Sequence, residues 1–379
     1  PRMNTFPDPR TRRFTLSAFA TKWMGQSVEV GIVPVLVLLA IYLPFAYFVI
    51  PESNALHLSL FGINLIGQIM CFALLALALD LVWGYAGILS LGHGIFFGIG
   101  GYMMAIYLLN GAYADTHVLP DFLQYMGASD FPAVWKMLSR LDVTIFATIV
   151  VTVLVAGAFG FVTFRSRING VYLSIITQAL TYALMLLLFI NDVGLGGNNG
   201  MTGFTSLAGR KLAATSTQIG LAVCSCLLLV VAYVGVRFLA RSSFGRALIA
   251  VRDDEARMRF LGYRTHTLKL FAWCLSAVLA AFAGMLYVPQ VGIVNPTIVS
   301  PQLSVEIAVW VAIGGRGTLI GAIVGAIVVN GLKFWLTAQL PALWPFILAG
   351  VTLVIVVYFG NGLWGTLKAA SSETRGGDQ

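Results

Sequence analysis

Apolar runs long enough to cross a hydrocarbon layer recur along the whole chain. They fall near 30–50, 60–83, 94–110, 142–164, 171–190, 218–240, 267–288, 302–315, 318–338 and 343–362. In lipid, every backbone N–H and C=O must be bonded within the protein, so runs of this length are read as helices. The eighth run is short and is expected to be tilted, half-spanning or re-entrant. Composition agrees: 59% of the 379 residues are hydrophobic, only 10% are charged, and the mean hydropathy is +0.88. A soluble domain of this size needs far more charge to cover its surface. The expected fold is an all-α polytopic membrane protein of about ten transmembrane or half-spanning helices.

The charges are confined to short stretches that orient the chain. Residues 1–27 carry Arg2, Arg10, Arg12, Arg13 and Lys22 against one acid, Asp8. The first spanning run starts near Val30, too late and too long for a secretory signal. With a cytoplasmic N-terminus, Arg165, Arg167, the basic stretch 237–269, Arg316, Lys368 and Arg375 fall on the same side as this tail. Lys136, Arg140, Arg210, Lys211 and Lys333 fall on the other. That asymmetry is the positive-inside pattern, with both termini cytoplasmic. The net charge of +8 therefore speaks of membrane lipid as a partner and not of nucleic acid. The expected organisation is a basic cytoplasmic tail over 1–29, a transmembrane domain over 30–365 with a cytoplasmic loop at 241–264, and a cytoplasmic tail over 366–379. Cys71, Cys224, Cys226 and Cys274 lie inside apolar runs without Cys-His metal spacing, so they read as small buried hydrophobes and no metal is expected.

Several residues stand out against this apolar background. The stretch 84–101 holds Gly84, Gly92, Gly94 and Gly98 among seven glycines, which argues for broken helix or very close helix contact. It follows Asp80-Leu-Val-Trp-Gly-Tyr-Ala-Gly, and a similar Trp-then-glycine turn, Trp310-Val-Ala-Ile-Gly-Gly-Arg-Gly with Gly314 and Gly315, joins the eighth and ninth runs. The two form a weak internal repeat of the kind many transporters carry. His93 in the first turn is either a bonded structural group or part of a polar path. Glu306, in the short eighth run, is a costly intramembrane acid and the better pathway candidate, whereas Asp80 near a helix end caps or pairs. Ser174, Thr177, Gln178 and Thr181 share one helical face, flanked by Tyr182. Such a stripe either bonds to neighbouring helices or faces a pore. The turn Gly194-Leu-Gly-Gly-Asn-Asn-Gly, with Gly197, Asn198 and Asn199, reads as a tight turn, a gate or a docking surface.

The loop Arg241–Gly262 is the most specific local signal. Phe244, Leu248, Val251, Met258 and Leu261 recur at helical spacing among charged and small residues, which predicts one amphipathic helix stopped at Gly262. Its apolar stripe fits anionic lipid or a groove on a cytoplasmic partner. No Gly-Lys dipeptide occurs, so there is no Walker A loop, and no HExxH or GxSxG is present. No catalytic residue and no cofactor are expected.

Taken together, Asp80–Tyr102, Gly170–Gly203, Ser243–Gly262 and Ser304–Gly325 resemble the membrane permease subunits of the branched-chain amino acid class of ABC importers. Val171-Tyr-Leu-Ser-Ile-Ile-Thr-Gln-Ala-Leu-Thr-Tyr followed by Gly-Leu-Gly-Gly-Asn-Asn-Gly resembles the urea branch most. The resemblance implies a non-catalytic transport subunit in a bacterial inner membrane. It implies a homologous second permease, two cytoplasmic ATPase subunits and a periplasmic solute-binding protein as partners. It implies that 243–262 is the coupling helix, with Phe244, Leu248, Val251, Arg252, Asp254, Glu255 and Met258 docking on the ATPase. The sequence departs from the family's Glu-Ala-Ala-x3-Gly pattern: Arg257 follows Glu255-Ala256, and Gly262 comes one residue late. It also implies passage of urea or a short amide, with branched-chain amino acids as the alternative. Urea is small and neutral, so its path needs hydrogen-bonding groups such as Thr177, Gln178, Thr181 or Glu306 and no counter-charge.

Overall fold

The computed structural model describes residues 16–350 except 52, 55, 128–129, 167, 169, 340–341, 344–345 and 348, with side chains described from residue 31 onward. The last apolar run, 343–362, lies almost wholly outside the described residues, as do the C-terminal tail and positions 1–15. In chain order the helices are α1 Leu16–Phe48, α2 Leu60–Asp80, α3 His93–Thr116, α4 Asp121–Tyr125, α5 Ala133–Met137, α6 Leu141–Arg165 and α7 Val171–Phe189. They continue with α8 Thr215–Arg241, α9 Ser243–Asp253, α10 Glu255–Phe260, α11 Thr265–Val291, α12 Pro301–Gly314 and α13 Ile320–Gln339. A two-residue hairpin, β1 Ser206–Leu207 against β2 Arg210–Lys211, is the one sheet among the described residues. Eight helices are long and apolar enough to cross a membrane, so the chain is an all-α, multi-pass membrane protein. α1 begins at Leu16 and takes in half of the expected tail.

α2 is the axis of the bundle. Every residue from Ile69 to Val82 is buried, against α8, α11, α12 and α13. α6 shows how a helix packs when its other face meets lipid. Thr144, Thr148, Thr152, Ala156 and Gly160, each four residues apart, form a buried stripe, while Phe146, Leu154 and Phe161 stay exposed. Small side chains let backbones approach closely, which matters where apolar burial alone drives no association. Gly100 of α3 makes one of the tightest such approaches, since a Cβ there would stand 1.8 Å from the Ala281 carbonyl oxygen of α11, and a Cβ on Gly314 of α12 would stand equally close to the Gly321 carbonyl oxygen of α13.

Two helices depart from a plain span. α12 has 14 residues, a length of about 21 Å, too little for a hydrocarbon core of about 30 Å. α2 ends in a π turn, Leu81–Tyr85, and the chain then runs irregularly through 87–92 before α3 starts. The expected single helix over 243–262 is two: Asp254 takes an extended conformation (φ −153°, ψ 91°) and its side chain accepts the Arg257 N–H at 2.9 Å. An Asp at that place gains more as a helix cap than as an interior residue. Gly262, at φ +88°, ends the segment as expected.

The helix ends form two groups. One carries the π turn, the α6–α7 connection, α9 and α10, and the α12–α13 turn. The other carries 117–140, 190–214 and 292–300, tied together where Met201 and Val294 exchange backbone hydrogen bonds of 2.7 and 3.1 Å.

Candidate functional site

A cavity of about 390 Å³ opens at this second end, between α2, α3, α11, α12 and α13. Its rim exists because Pro296 and Pro301 punctuate the chain after α11. Pro296 opens a 3-10 turn, and Ser300 caps α12, its hydroxyl accepting the Leu303 N–H at 3.2 Å. Asn295, Thr297, Ser300 and Gln302 supply neutral polar groups, and Phe72, Phe97 and Tyr287 supply aromatic walls. One ion pair lies in it: the Lys333 ammonium donates to Glu306 Oε2 at 2.7 Å, and the Gln302 amide reaches Oε1 at 3.4 Å. Glu306 is buried and Lys333 half-buried, so each supplies the counter-charge that the other's depth requires. The charge pattern assigns Lys333 to the outer side, and the residue lies in α13, inside the apolar run 318–338. A lysine inside the apolar run 320–339 was the available signal, the same one that drew attention to Glu306. Asn295, Thr297, Ser300 and the three aromatics carried no such signal.

The polar stripe of α7 stands elsewhere. The irregular stretch 87–92 lacks helical hydrogen bonds, and α7 supplies them. The Ser174 hydroxyl donates to the Leu89 carbonyl at 2.8 Å, Thr177 accepts the Leu91 N–H at 3.0 Å, and Thr181 donates to the Leu91 carbonyl at 3.2 Å. Irregular backbone at membrane depth persists only where protein groups satisfy it. Gln178 is half-buried beside this row and Tyr182 is exposed. His93, buried at the start of α3, lies 2.7 Å from the Ser276 hydroxyl, which in turn bonds the Ala78 carbonyl. The Gly92 N–H donates to Ser90, and the Gly94 N–H to Ser304, which stands between the cavity-lining Leu303 and Glu306 in sequence. Gly197–Asn199 form a 3-10 turn with both asparagines exposed, close in sequence to the Met201–Val294 link at the cavity rim.

At the first end the two glycine turns meet. A Cβ on Gly84 would lie 2.5 Å from Gly317 Cα, so the turns pack backbone to backbone. The Asp80 carboxylate, fully buried, accepts the N–H groups of Gly317 at 2.6 Å and Leu319 at 2.9 Å. Arg316 donates to the Trp83 carbonyl at 3.2 Å and lies over its ring at 5.3 Å. Gly314 ends α12, with Gly315 next at φ +116°.

The segment 243–260 packs on this junction with its apolar side. Leu248, Val251 and Met258 are buried within the chain, and Phe244 meets Phe271 edge-on at 5.1 Å. Arg252 donates to the Gly84 carbonyl at 2.6 Å. Glu255 binds Lys269 at 2.6 Å, Arg259 at 2.8 Å and the Thr265 hydroxyl at 3.0 Å. Burial raises the Glu255 carboxyl, but Lys269 and Arg259 outweigh it and hold the group below its ordinary value. What faces outward is Arg246, Asp253, Arg257, Phe260 and Leu261. Among the described residues no three His, Cys, Asp or Glu side chains converge as a metal would require. The structure thus joins the 244–258 residues to Gly84, and Glu306 to Lys333, while Thr177, Thr181 and His93 sit in separate packing contacts.

The described residues thus form a multi-pass helical bundle with one half-spanning helix beside a polar cavity, an arrangement that membrane transporters also use. The pattern of the family described as "Branched-chain amino acid transport system / permease component" matches residues 62–357, and the chain belongs to that family. It is 29% identical over 282 residues to the high-affinity branched-chain amino acid transport system permease protein LivM of Escherichia coli, covering 68% of this chain and 59% of that protein. The Salmonella typhimurium LivM is 28% identical over 70% of this chain and 61% of its own length. The autoinducer 2 import system permease protein LsrC of Yersinia pestis is 34% identical over 33% of this chain and 37% of its own. The chain thus spans less than two thirds of the length of these relatives. No solved structure matches it significantly.

Proposed function

We propose that this chain is a translocation-pathway subunit of an ATP-driven importer in a bacterial inner membrane, and that its solute is urea or a short amide. The observation that carries the solute class is the cavity's charge balance. Its one acid, Glu306, and one base, Lys333, neutralise each other, and the other polar lining is amide and hydroxyl. A neutral solute with N–H donors and one carbonyl acceptor exchanges hydrogen bonds with Asn295, Thr297, Ser300 and Gln302 without opening the pair. Family membership supports the rest: a second, homologous permease, two cytoplasmic ATPase subunits and a periplasmic solute-binding protein complete the importer. The outward face of α9 and α10, with Arg246, Asp253, Arg257 and Phe260, is then the surface the ATPase pulls on. The end bearing Arg241–Arg264 is cytoplasmic.

The names of the LivM relatives favour a second reading, branched-chain amino acids. That reading requires Glu306 and Lys333 to part and take the solute's ammonium and carboxylate. Uptake of labelled urea and labelled leucine by the complete complex, with and without this chain, separates the two. The double replacement Glu306→Gln/Lys333→Gln sharpens the test. A urea path keeps most of its uptake, since exchanging a buried pair for neutral groups is often tolerated. An amino-acid path loses roughly tenfold or more with its charge-assisted bonds.

A further inference from the structure

Beneath the cavity lies a layer of rings. Phe72 stands 5.0 Å from Tyr287 and 5.2 Å from Trp310, and Phe97 stands 5.3 Å from Tyr287 (centroid to centroid). Phe72, Phe97 and Tyr287 line the cavity, whereas Trp310 lies one ring behind Phe72 and is 1% exposed. On α12, Glu306, Trp310 and Gly314 follow at intervals of four and share a face. That face reads from the cavity, through the indole, to the glycine junction. α13 packs closely on this helix, since a Cβ on Gly325 would lie 2.2 Å from the Trp310 carbonyl oxygen and 2.8 Å from the Gly314 nitrogen. The indole N–H of Trp310 is buried and finds no acceptor among the described residues. A buried indole N–H is normally bonded, so this donor is held in reserve.

We infer that Phe72 over Trp310 is the inner gate of the pathway, and that the Trp310 N–H is a second stop for a carbonyl-bearing solute once Phe72 swings aside. The second stop rests on the proposed transport of a neutral amide; the gate does not. Motion of Arg252 against Gly84 reaches this layer through the Gly84–Gly317 contact and the turn into α12.

The gate is tested without solute. In complexes whose copy of this chain has Cys71, Cys224, Cys226 and Cys274 replaced by alanine, Trp310→Cys is exposed to a small, membrane-impermeant thiol reagent from the cavity side, and labelling is read on this chain alone. It stays unlabelled with Phe72 in place and becomes labelled with Phe72→Ala. Labelling beneath intact Phe72, or none after its removal in an assembled complex, overturns the gate. If Trp310→Cys does not assemble, passage of formamide through Phe72→Ala complexes without ATP reads the same barrier, and its absence overturns it equally. The second stop is read by Trp310→Phe, which keeps the ring and loses the donor. Half-maximal urea uptake shifts to about fivefold higher concentration, the worth of one neutral hydrogen bond, with ATP hydrolysis unchanged. An unshifted value overturns the stop and leaves the gate standing. Absence of urea uptake by the unaltered complex counts against the solute reading alone.

Discussion

At the scale of single residues, the membrane interior makes each polar group accountable. Asp80 is fully buried and anchors two backbone N–H groups of the opposite turn. Its replacement leaves those donors unbonded, at about 1–3 kcal/mol each. Asp80→Ala therefore lowers the thermal unfolding midpoint of the purified protein, and Asp80→Asn, which keeps one acceptor, lowers it less. Equal midpoints would show that the turn does not depend on the carboxylate. Glu306 was legible in the sequence because an acid in an apolar run needs an explanation. Its partner Lys333 was equally visible, a lysine inside the apolar run 318–338, but it counted only as an outer-side charge, because hydropathy does not say which helix faces it.

At the scale of elements, α7 carries a stripe whose spacing is plain in the sequence and whose use is not. A helical wheel places Ser174, Thr177 and Thr181 on one face, but it cannot say whether that face meets solute or backbone. Here it meets the irregular stretch 87–92, bonding the Leu89 carbonyl and both backbone groups of Leu91. Thr177→Val leaves the Leu91 N–H unbonded and costs about 1–3 kcal/mol of stability, read as a lowered unfolding midpoint. Transport that falls with no change in that midpoint would instead make the stripe a solute contact. The segment 243–262 repeats the lesson. Its apolar periodicity fits anionic lipid or a partner's groove equally, yet Leu248, Val251 and Met258 turn into the chain's own bundle. Periodicity reports that a face is buried and leaves open what buries it. The break at Asp254 was invisible to spacing because the period continues across it.

At the scale of the whole molecule, three distant stretches converge at one end: the π turn after α2, the turn before α13 and Arg252 of α9. A displacement of α9 bears directly on the Gly84 carbonyl. Arg252→Met is therefore expected to leave complex assembly and ATP hydrolysis in place and to lower solute uptake by roughly tenfold, a coupling loss of ordinary size. Arg246→Met, on the outward face, is expected instead to weaken association with the proposed ATPase partner. Full uptake by the Arg252 variant would remove that contact from the transmission path.

By itself the sequence determined the solvent, the helical class, the short eighth element and the break after α2. These follow from hydropathy, length and glycine content, which are local quantities summed along the chain. Only the tertiary structure decided that the two glycine turns touch, that Lys333 answers Glu306, and that α7 serves backbone. Asp80 and Gly317 are 237 positions apart. Their bond exists because the intervening helices bury their small-residue stripes against one another, and no local pattern encodes which stripe meets which.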